Sequence, residues 1–330
     1  MASVLGVGII GAGMFGAQHA RALAQVPGVQ LVAASARTPE RLQRFTAEFG
    51  GTGYTDYHDL IADPAVNIIC NVLPHNLHAE VSIQALRAGK SVMLEKPMAP
   101  TLAECDAIVA AVAETGVPFM MAHPYRFMRG YQEALRLIRE GAIGRPVAAT
   151  AAMVKDWTFK QREQWHLAPG GGMWLTNGCH LVDRLCLLLD AAPTDVRAIV
   201  GTRFHPQDVD DIGIGLIGFE GGGIGIARAI GYAAGGRDDW SEVQGTEGAI
   251  RVNHTDGLFL ARKDTWEPVL AEPSPQLDAL VGEWQAFLPH VRGEAPSPVS
   301  AEYGRLIVAT VLAGMASSES GQVVNVGQWS

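Results

Sequence analysis

Cysteine is scarce, and what there is shows no pairing pattern: Cys70, Cys105, Cys179 and Cys186 include no C-x-x-C pair. Such spacing supports neither a zinc site nor a disulfide framework, and burial as free thiols is the ordinary fate of such residues. Positive charge is also thin. With 25 Lys and Arg against 34 Asp and Glu, the formal charge is -9, and no dense basic block supplies the cationic footprint that nucleic acid or an anionic membrane requires. No apolar stretch approaches the roughly 20 residues of a membrane helix. The apolar start, from Val4 to Phe15, has no basic leader and is broken by Gly6, Gly8, Gly11 and Gly13, which suits a strand entering a glycine turn better than a secretory segment. These absences lead us to expect a cytoplasmic protein that acts on a small molecule, with no nucleic acid, membrane or metal as partner.

What the chain has instead is bulk. Its 330 residues, 48% of them hydrophobic, exceed the usual single-domain size and point to two domains. The first third alternates apolar runs with helix-like segments, with strands expected at residues 4–10, 29–35, 66–73, 91–94 and 119–122. Thr38 followed by Pro39 reads as an N-cap with proline at the first helical position, and Gly89 and Gly116 fall where helices should stop. Continuous apolar strands alternating with helices imply a parallel sheet covered on both faces. After about Tyr125 the texture changes. A helix at 131–139 precedes β-like stretches such as 211–219 and 223–230, with glycines between small and β-branched residues, which suggests an antiparallel sheet. Helices at 277–291 and 302–317 close the chain, and His180 begins an apolar helical run over 181–189.

The strongest local signal is Gly11-Ala12-Gly13-Met14-Phe15-Gly16, directly after a strand and opening a helix. Gly11 permits the tight turn, Gly13 lets the backbone approach a pyrophosphate, Gly16 allows close helix packing, and the helix N-terminus attracts the phosphate charge. About twenty residues further on, a site that reads a free adenosine ribose carries an acidic residue. Here the segment is Ser35-Ala36-Arg37-Thr38. With no carboxylate to repel a 2′-phosphate, and with Arg37 and two hydroxyls able to bind one, NADP is favoured over NAD.

A wider set of motifs follows in order: Leu73-Pro74-His75-Asn76-Leu77-His78, Ala88-Gly89-Lys90-Ser91-Val92-Met93-Leu94-Glu95-Lys96-Pro97, Tyr125-Arg126-Phe127, Glu140-Gly141-Ala142-Ile143-Gly144, Gly170-Gly171-Gly172, Gly178-Cys179-His180 with Asp183, and Gly245-Thr246-Glu247-Gly248. Together they span nearly the whole chain and resemble the Gfo/Idh/MocA family. The resemblance implies an α/β protein: an N-terminal Rossmann domain over 1–124 and a C-terminal α+β domain over 125–330 on an open, mostly antiparallel sheet. The substrate would lie between that sheet and the nicotinamide. It further implies cofactor contacts from Leu73, His75, His78 and Glu95 beside the glycine turn, and it makes Lys96 the lysine that faces the reacting carbon. An ammonium there stabilises a developing alkoxide and can relay a proton. By the same resemblance His180 is an acid/base group, a role that suits an imidazole whose pKa lies near working pH.

One departure matters. The aspartate of the family's Asp-x-Gly-x-His pattern falls on Thr176, with Asn177 beside it, and a hydroxyl cannot supply a carboxylate's charge. For the substrate wall we nominate Arg126, Lys155, Trp157, Trp165, His166, Thr176 and Asn177, a group rich in planar and hydrogen-bonding side chains. The expected activity is hydride transfer between a nicotinamide cofactor and a carbinol or carbonyl carbon of a sugar, cyclitol or related polyol. The alternatives are a dehydrogenase of a carboxylated cyclic dihydrodiol and an NAD(P)-binding regulator without turnover. The family's second-domain sheets commonly pack face to face, and no helix is expected over one face of this one, so a homodimer or homotetramer is expected.

Overall fold

A computed structural model describes residues 4–158, 164–167, 170–253, 257–271 and 275–329. Its contacts divide the chain into two units, Met1–Pro124 with Gln276–Arg305, and Tyr125–Pro275 with Leu306–Ser330.

In the first unit strands and helices alternate: β1 (Leu5–Ile10), α1 (Met14–Leu23), β2 (Val29–Ser35), α2 (Pro39–Phe49), β3 (Thr52–Tyr54), α3 (Tyr57–Ala62), β4 (Ile68–Asn71), α4 (His78–Arg87), β5 (Ser91–Glu95), α5 (Leu102–Thr115) and β6 (Phe119–Ala122). The six strands are parallel in the order β3-β2-β1-β4-β5-β6, the order of doubly wound dinucleotide folds. Strands β4, β5 and β6 are buried along their whole length, because a sheet covered by helices on both faces has no wet side. The helix ends obey the expected chemistry. Thr38 is the N-cap of α2 with Pro39 after it, a Thr101–Glu104 capping box opens α5, and Gly116 ends it at φ 64°. Strand order reverses between β1 and β4, so the loops after those strands flank the crevice where such folds take their ligands.

The sequence reading assigned everything after residue 124 to the second domain, but contacts return Gln276–Arg305 to the first. The reason is the apolar stripe of α8 (Gln276–Val291), whose Leu280, Trp284 and Phe287 are fully buried. The Trp284 indole donates to His19 Nδ1 on α1 at 3.2 Å. Sequence adjacency to the second domain carried no information about this partner.

The second unit contains α6 (Arg129–Arg139), β7 (Pro146–Asp156), α7 (Met173–Leu189), β8 (Pro193–Gly201), β9 (Ile212–Phe219), β10 (Ile224–Tyr232), β11 (Asp238–Gly245), β12 (Ala249–Asn253), β13 (Gly257–Arg262) and β14 (Thr265–Leu270). The last helix, α9 (Ala301–Ser320), belongs to this unit from Leu306 onward, and β15 (Val324–Asn325) follows it. Nine strands form one sheet, β14-β13-β12-β11-β7-β10-β9-β8-β15. Every pairing in it is antiparallel except β7 with β10.

Helix α7 packs on one face of this sheet against β7, β9 and β10, and glycine sets how close it comes. A Cβ at Gly213 of β9 would lie 2.2 Å from the Trp174 ring, and one at Gly215 would lie 3.0 Å from it. The indole is fully buried there and donates to Val311 O at 2.9 Å. On the opposite face the large residues point outward. Ile199, Ile214, Leu216, Ile224 and Ile226 are 41–70% exposed, and register pairs Ile199 with Ile214 and Leu216 with Ile226. Among the described residues, no helix is long and apolar enough to cross a membrane.

Candidate active site

The glycine turn follows β1. Gly11 sits at φ 114°, and a side chain there would meet Val72 O at 2.7 Å, while one at Gly16 would meet Gly11 O at 2.2 Å. Both positions therefore require glycine. Gly13 differs, because a Cβ added there would meet nothing within 4 Å, so the backbone there is open to a large group. Gly13 is also the N-cap of α1, which receives no side-chain cap and has no acidic residue in its first turn. Such an end suits an anion. Met14 is exposed beside it, and Phe15 packs edge-on against His19 with ring centroids 5.7 Å apart. The turn is tied to the second strand because Ser35 O accepts from Gly11 N and Ala12 N at 3.0 and 3.2 Å. That contact places Arg37 and Thr38, both exposed, at the same carboxyl edge of the sheet. These features fit a dinucleotide.

The loops after β4 and β5 complete this edge. Asn71, fully buried at the end of β4, donates to His78 O and Ser82 Oγ at 3.2 and 3.1 Å, and Leu73 N donates to its Oδ1 at 3.4 Å. His75 is buried in the short turn His75–Leu77 and packs against His78 with centroids 5.6 Å apart. Two expected cofactor contacts turn inward instead. His78 is fully buried, with Nε2 2.8 Å from Leu73 O and Nδ1 2.8 Å from Pro97 O, so its ring braces two loops. Burial pulls its pKa down, while the two carbonyls, which can only accept, pull the other way. Glu95 ends β5 with one oxygen 3.0 Å from His19 Nε2, and its other oxygen accepts from Lys96 N at 3.2 Å. Sequence could not separate these braces from ligand contacts, since both uses call for a polar residue near the same loop. Lys96 follows directly, at the carboxyl edge of the sheet.

In the second unit the predicted residues gather on α7. This helix begins at Met173 and not near residue 181, so Thr176, Asn177 and His180 share its first two turns, with Thr176 one turn before His180. Its N-terminus is held by Asp210: Met173 N donates to Asp210 O at 3.0 Å, and Trp174 N donates to Oδ1 at 2.5 Å. Burial lifts the Asp210 carboxyl to about 6, the charge of Asp211 adds to this, and the backbone donors oppose it.

Asn177 Oδ1 accepts from Lys155 Nζ at 2.7 Å, and that ammonium lies 5.5 Å from the centre of the Trp157 ring. Trp157 in turn meets His166 edge-on at 5.6 Å. Four of the nominated residues thus form one cluster. Trp165 shares the short turn Gln164–Leu167 with His166, but its side chain lies outside the described residues. His180, 8% exposed, packs edge-on against Tyr125 at 5.0 Å. The structure gives Arg126 a different companion, since its Nε donates to Asp183 Oδ1 at 2.6 Å.

Sequence reasoning missed the polar support beneath His180. The Arg184 guanidinium is fully buried, 3.6 Å from the centre of the Tyr125 ring and 2.8 Å from Asp239, and the Tyr125 hydroxyl donates to Asp239 at 2.8 Å. Burial pushes the Tyr125 pKa well up, with the Asp239 carboxylate adding to the rise and the Arg184 cation opposing it. His19, Trp284, Asp210, Arg184 and Asp239 gave no local signal. Their partners lie far away in sequence.

Residues 5–123 match the family model described as an oxidoreductase family with an NAD-binding Rossmann fold, and residues 131–251 match the model of the GFO/IDH/MocA C-terminal domain. The chain belongs to the Gfo/Idh/MocA family. It is similar to a levoglucosan dehydrogenase of Pseudarthrobacter phenanthrenivorans, with 30% identity over 291 residues, 76% of this chain and 74% of that protein. It is also similar to a 1,5-anhydro-D-fructose reductase of Ensifer adhaerens, with 26% identity over 334 residues, 97% of this chain and 98% of the other. Among solved structures, a levoglucosan dehydrogenase in complex with NADH and levoglucosan superposes with a TM-score of 0.90 at 26% identity, covering 98% of this chain and 99% of that one. As a family member the chain is an oxidoreductase with a nucleotide-binding Rossmann unit, the class its motifs indicated. The sheet orders of both units agree with the expected α/β architecture.

Proposed function

We propose that this oxidoreductase moves a hydride to or from a carbinol or carbonyl carbon of a sugar, cyclitol or related polyol, with Lys96 and His180 managing the hydroxyl proton. The observation that carries the reading is the convergence, at one sheet edge, of an uncapped α1, a glycine turn open at Gly13 and Lys96 at the end of β5. The relatives' substrates, levoglucosan and 1,5-anhydro-D-fructose, support the polyol class. The glycine turn and the α1 terminus would hold the cofactor's pyrophosphate, and the nicotinamide, when bound, accepts or returns the hydride.

Lys96 stabilises the oxygen charge that grows as the carbon loses hydride, and His180 takes or returns the proton. Thr176, one turn before His180, provides a hydroxyl where a carboxylate would hold the imidazole cation, so more of the proton work falls on Lys96. Lys155 and Asn177, with Trp157 and His166 beside them, form the substrate wall: the polar pair meets hydroxyls, and the ring faces meet the C–H side of a sugar.

Three finer assignments belong to the same proposal. NADP is preferred over NAD because Arg37 and Thr38 stand at the end of β2 with no acidic residue beside them. The exposed strip of Ile199, Ile214, Leu216, Ile224 and Ile226 receives a second copy of the chain, giving a homodimer or homotetramer. The four buried cysteines suit the reducing cytoplasm.

Titration with NADP and NAD separately, followed by absorbance of the reduced cofactor over a panel of sugars, cyclitols and dihydrodiols, tests the reading. Turnover of a sugar or cyclitol supports it. Turnover of dihydrodiols alone, or cofactor binding with no turnover across the panel, refutes it.

A further inference from the structure

His19 lies on α1, one turn beyond the glycine motif, and is fully buried. Its Nε2 is 3.0 Å from a Glu95 oxygen, and the second Glu95 oxygen accepts the backbone N–H of Lys96 at 3.2 Å. Its Nδ1 accepts from the Trp284 indole at 3.2 Å. An indole N–H can only donate, so Nδ1 carries the lone pair and Nε2 carries the proton that Glu95 accepts. Although burial opposes a charge on this ring, Cys70 and Glu95 pull its pKa up. The indole fixes the opposite outcome, a neutral ring in one tautomer. A buried carboxylate is costly unless its oxygens are satisfied, and here the donors come from the helix that opens at the glycine turn and from the lysine's own amide.

We propose that His19 is a positioning residue for Lys96, acting through Glu95, and that Trp284 on α8 fixes its tautomer, so that the nucleotide-binding helix and the reactive lysine share one buried hydrogen-bonded chain. The chain runs Trp284, His19, Glu95, Lys96 amide, with all members in the first unit. The interpretation of its effect on turnover rests on the proposed role of Lys96. The geometry of the chain does not.

The test needs a readout that mere loss of stability would not move. Lysine amines of the full-length protein are dimethylated with carbon-13, and the Lys96 signal is assigned by its loss in Lys96→Arg and followed against pH by NMR. His19→Leu removes the donor from Glu95, so the carboxylate binds a proton more readily and supports the Lys96 ammonium less. The Lys96 titration is expected to move to lower pH by at least about half a unit. His19→Gln, which keeps an N–H directed at Glu95, is expected to restore the wild-type position. Trp284→Phe covers the case in which His19→Leu does not fold, and should produce a smaller shift in the same direction. With a polyol from the panel, His19→Leu is expected to lower kcat by about tenfold or more while cofactor Kd changes by less than about threefold.

If folded His19→Leu or Trp284→Phe titrates Lys96 as the wild type does, or if His19→Gln behaves as His19→Leu, the proposal is overturned. Failure of the polyol reading looks different: Lys96→Ala would keep its turnover, while the NMR arm would still register the coupling.

Discussion

Asp210 is the most direct test of how the α7 platform is held. It is 9% exposed and accepts the Trp174 N–H, and burial raises its carboxyl from 3.8 to about 6. The sign follows from linkage. Below pH 4 the group is protonated in both folded and unfolded chains; between about 4 and 6 the unfolded chain has released a proton that the folded one keeps. Stability contributed by this residue is therefore greatest at low pH and falls as pH rises through that window, reaching a constant deficit above 6. At 1.36 kcal/mol per pH unit the fall amounts to about 3 kcal/mol. Asp210→Asn retains an oxygen for Trp174 N–H and removes the titration. The wild-type stability lost between pH 4 and pH 7 should shrink by about 3 kcal/mol in the variant, because every other group titrates alike in both proteins and cancels. Urea unfolding followed by tryptophan fluorescence at pH 4, 5, 6 and 7 measures the difference. Parallel stability curves for the two proteins would show that Asp210 is ionised throughout, and that the burial argument fails.

Further predictions concern turnover, cofactor choice, the buried ion pair and assembly. Lys96→Ala and His180→Ala should each lower turnover by about a hundredfold or more with cofactor binding retained, the lysine change being the worse; losses below about tenfold would mark packing residues. Arg37→Ala should weaken NADP binding in isothermal titration and leave NAD nearly unchanged, and equal affinities before and after the change would dismiss the phosphate role. Asp239→Ala strands the fully buried Arg184 cation and should cost about 3–5 kcal/mol in chemical denaturation, where a cost under about 1 would mean that water reaches the guanidinium. Leu216→Asp with Ile226→Asp should convert the oligomer to monomer in light scattering, and a wild-type protein already monomeric at micromolar concentration would remove the assembly proposal.

Much of the first unit was legible because its local signals agree with its fold. The strands are continuous apolar runs, the glycine motif sits between strand and helix, and Thr38, Pro39 and Gly116 do what their backbone chemistry dictates. Strand β3 was not, because it has three residues and two of them are exposed. In the second unit β9 and β10 showed themselves by alternation, though over much of their length in an inverted sense: Gly213, Gly215, Gly225, Ala227 and Ala229 are buried while Ile214, Leu216, Ile224 and Ile226 face outward. The first turns of α7 were hidden, since Thr176, Asn177 and Gly178 are poor helix formers, and burial of Trp174 overrides their preference. At the site, the family resemblance nominated Lys96 and His180, but it could not tell which polar neighbours face a ligand and which brace the backbone. The His19–Glu95 pair spans 76 residues, and no periodicity or spacing encodes such a pairing.

The return of α8 to the first unit bears on how the protein is made. A ribosome releases the chain from its N-terminus, so the nucleotide-binding body lacks Trp284, Leu280 and Phe287 until synthesis has passed them, and α1 waits with His19 uncovered. The sheet of the second unit, complete as far as Leu270, emerges earlier. The two units are therefore interleaved in birth order, the second still lacking Leu306–Ser330 when the last segment of the first has been made, and a chain cut after Pro124 would keep every strand of its sheet yet leave the inner side of α1 bare.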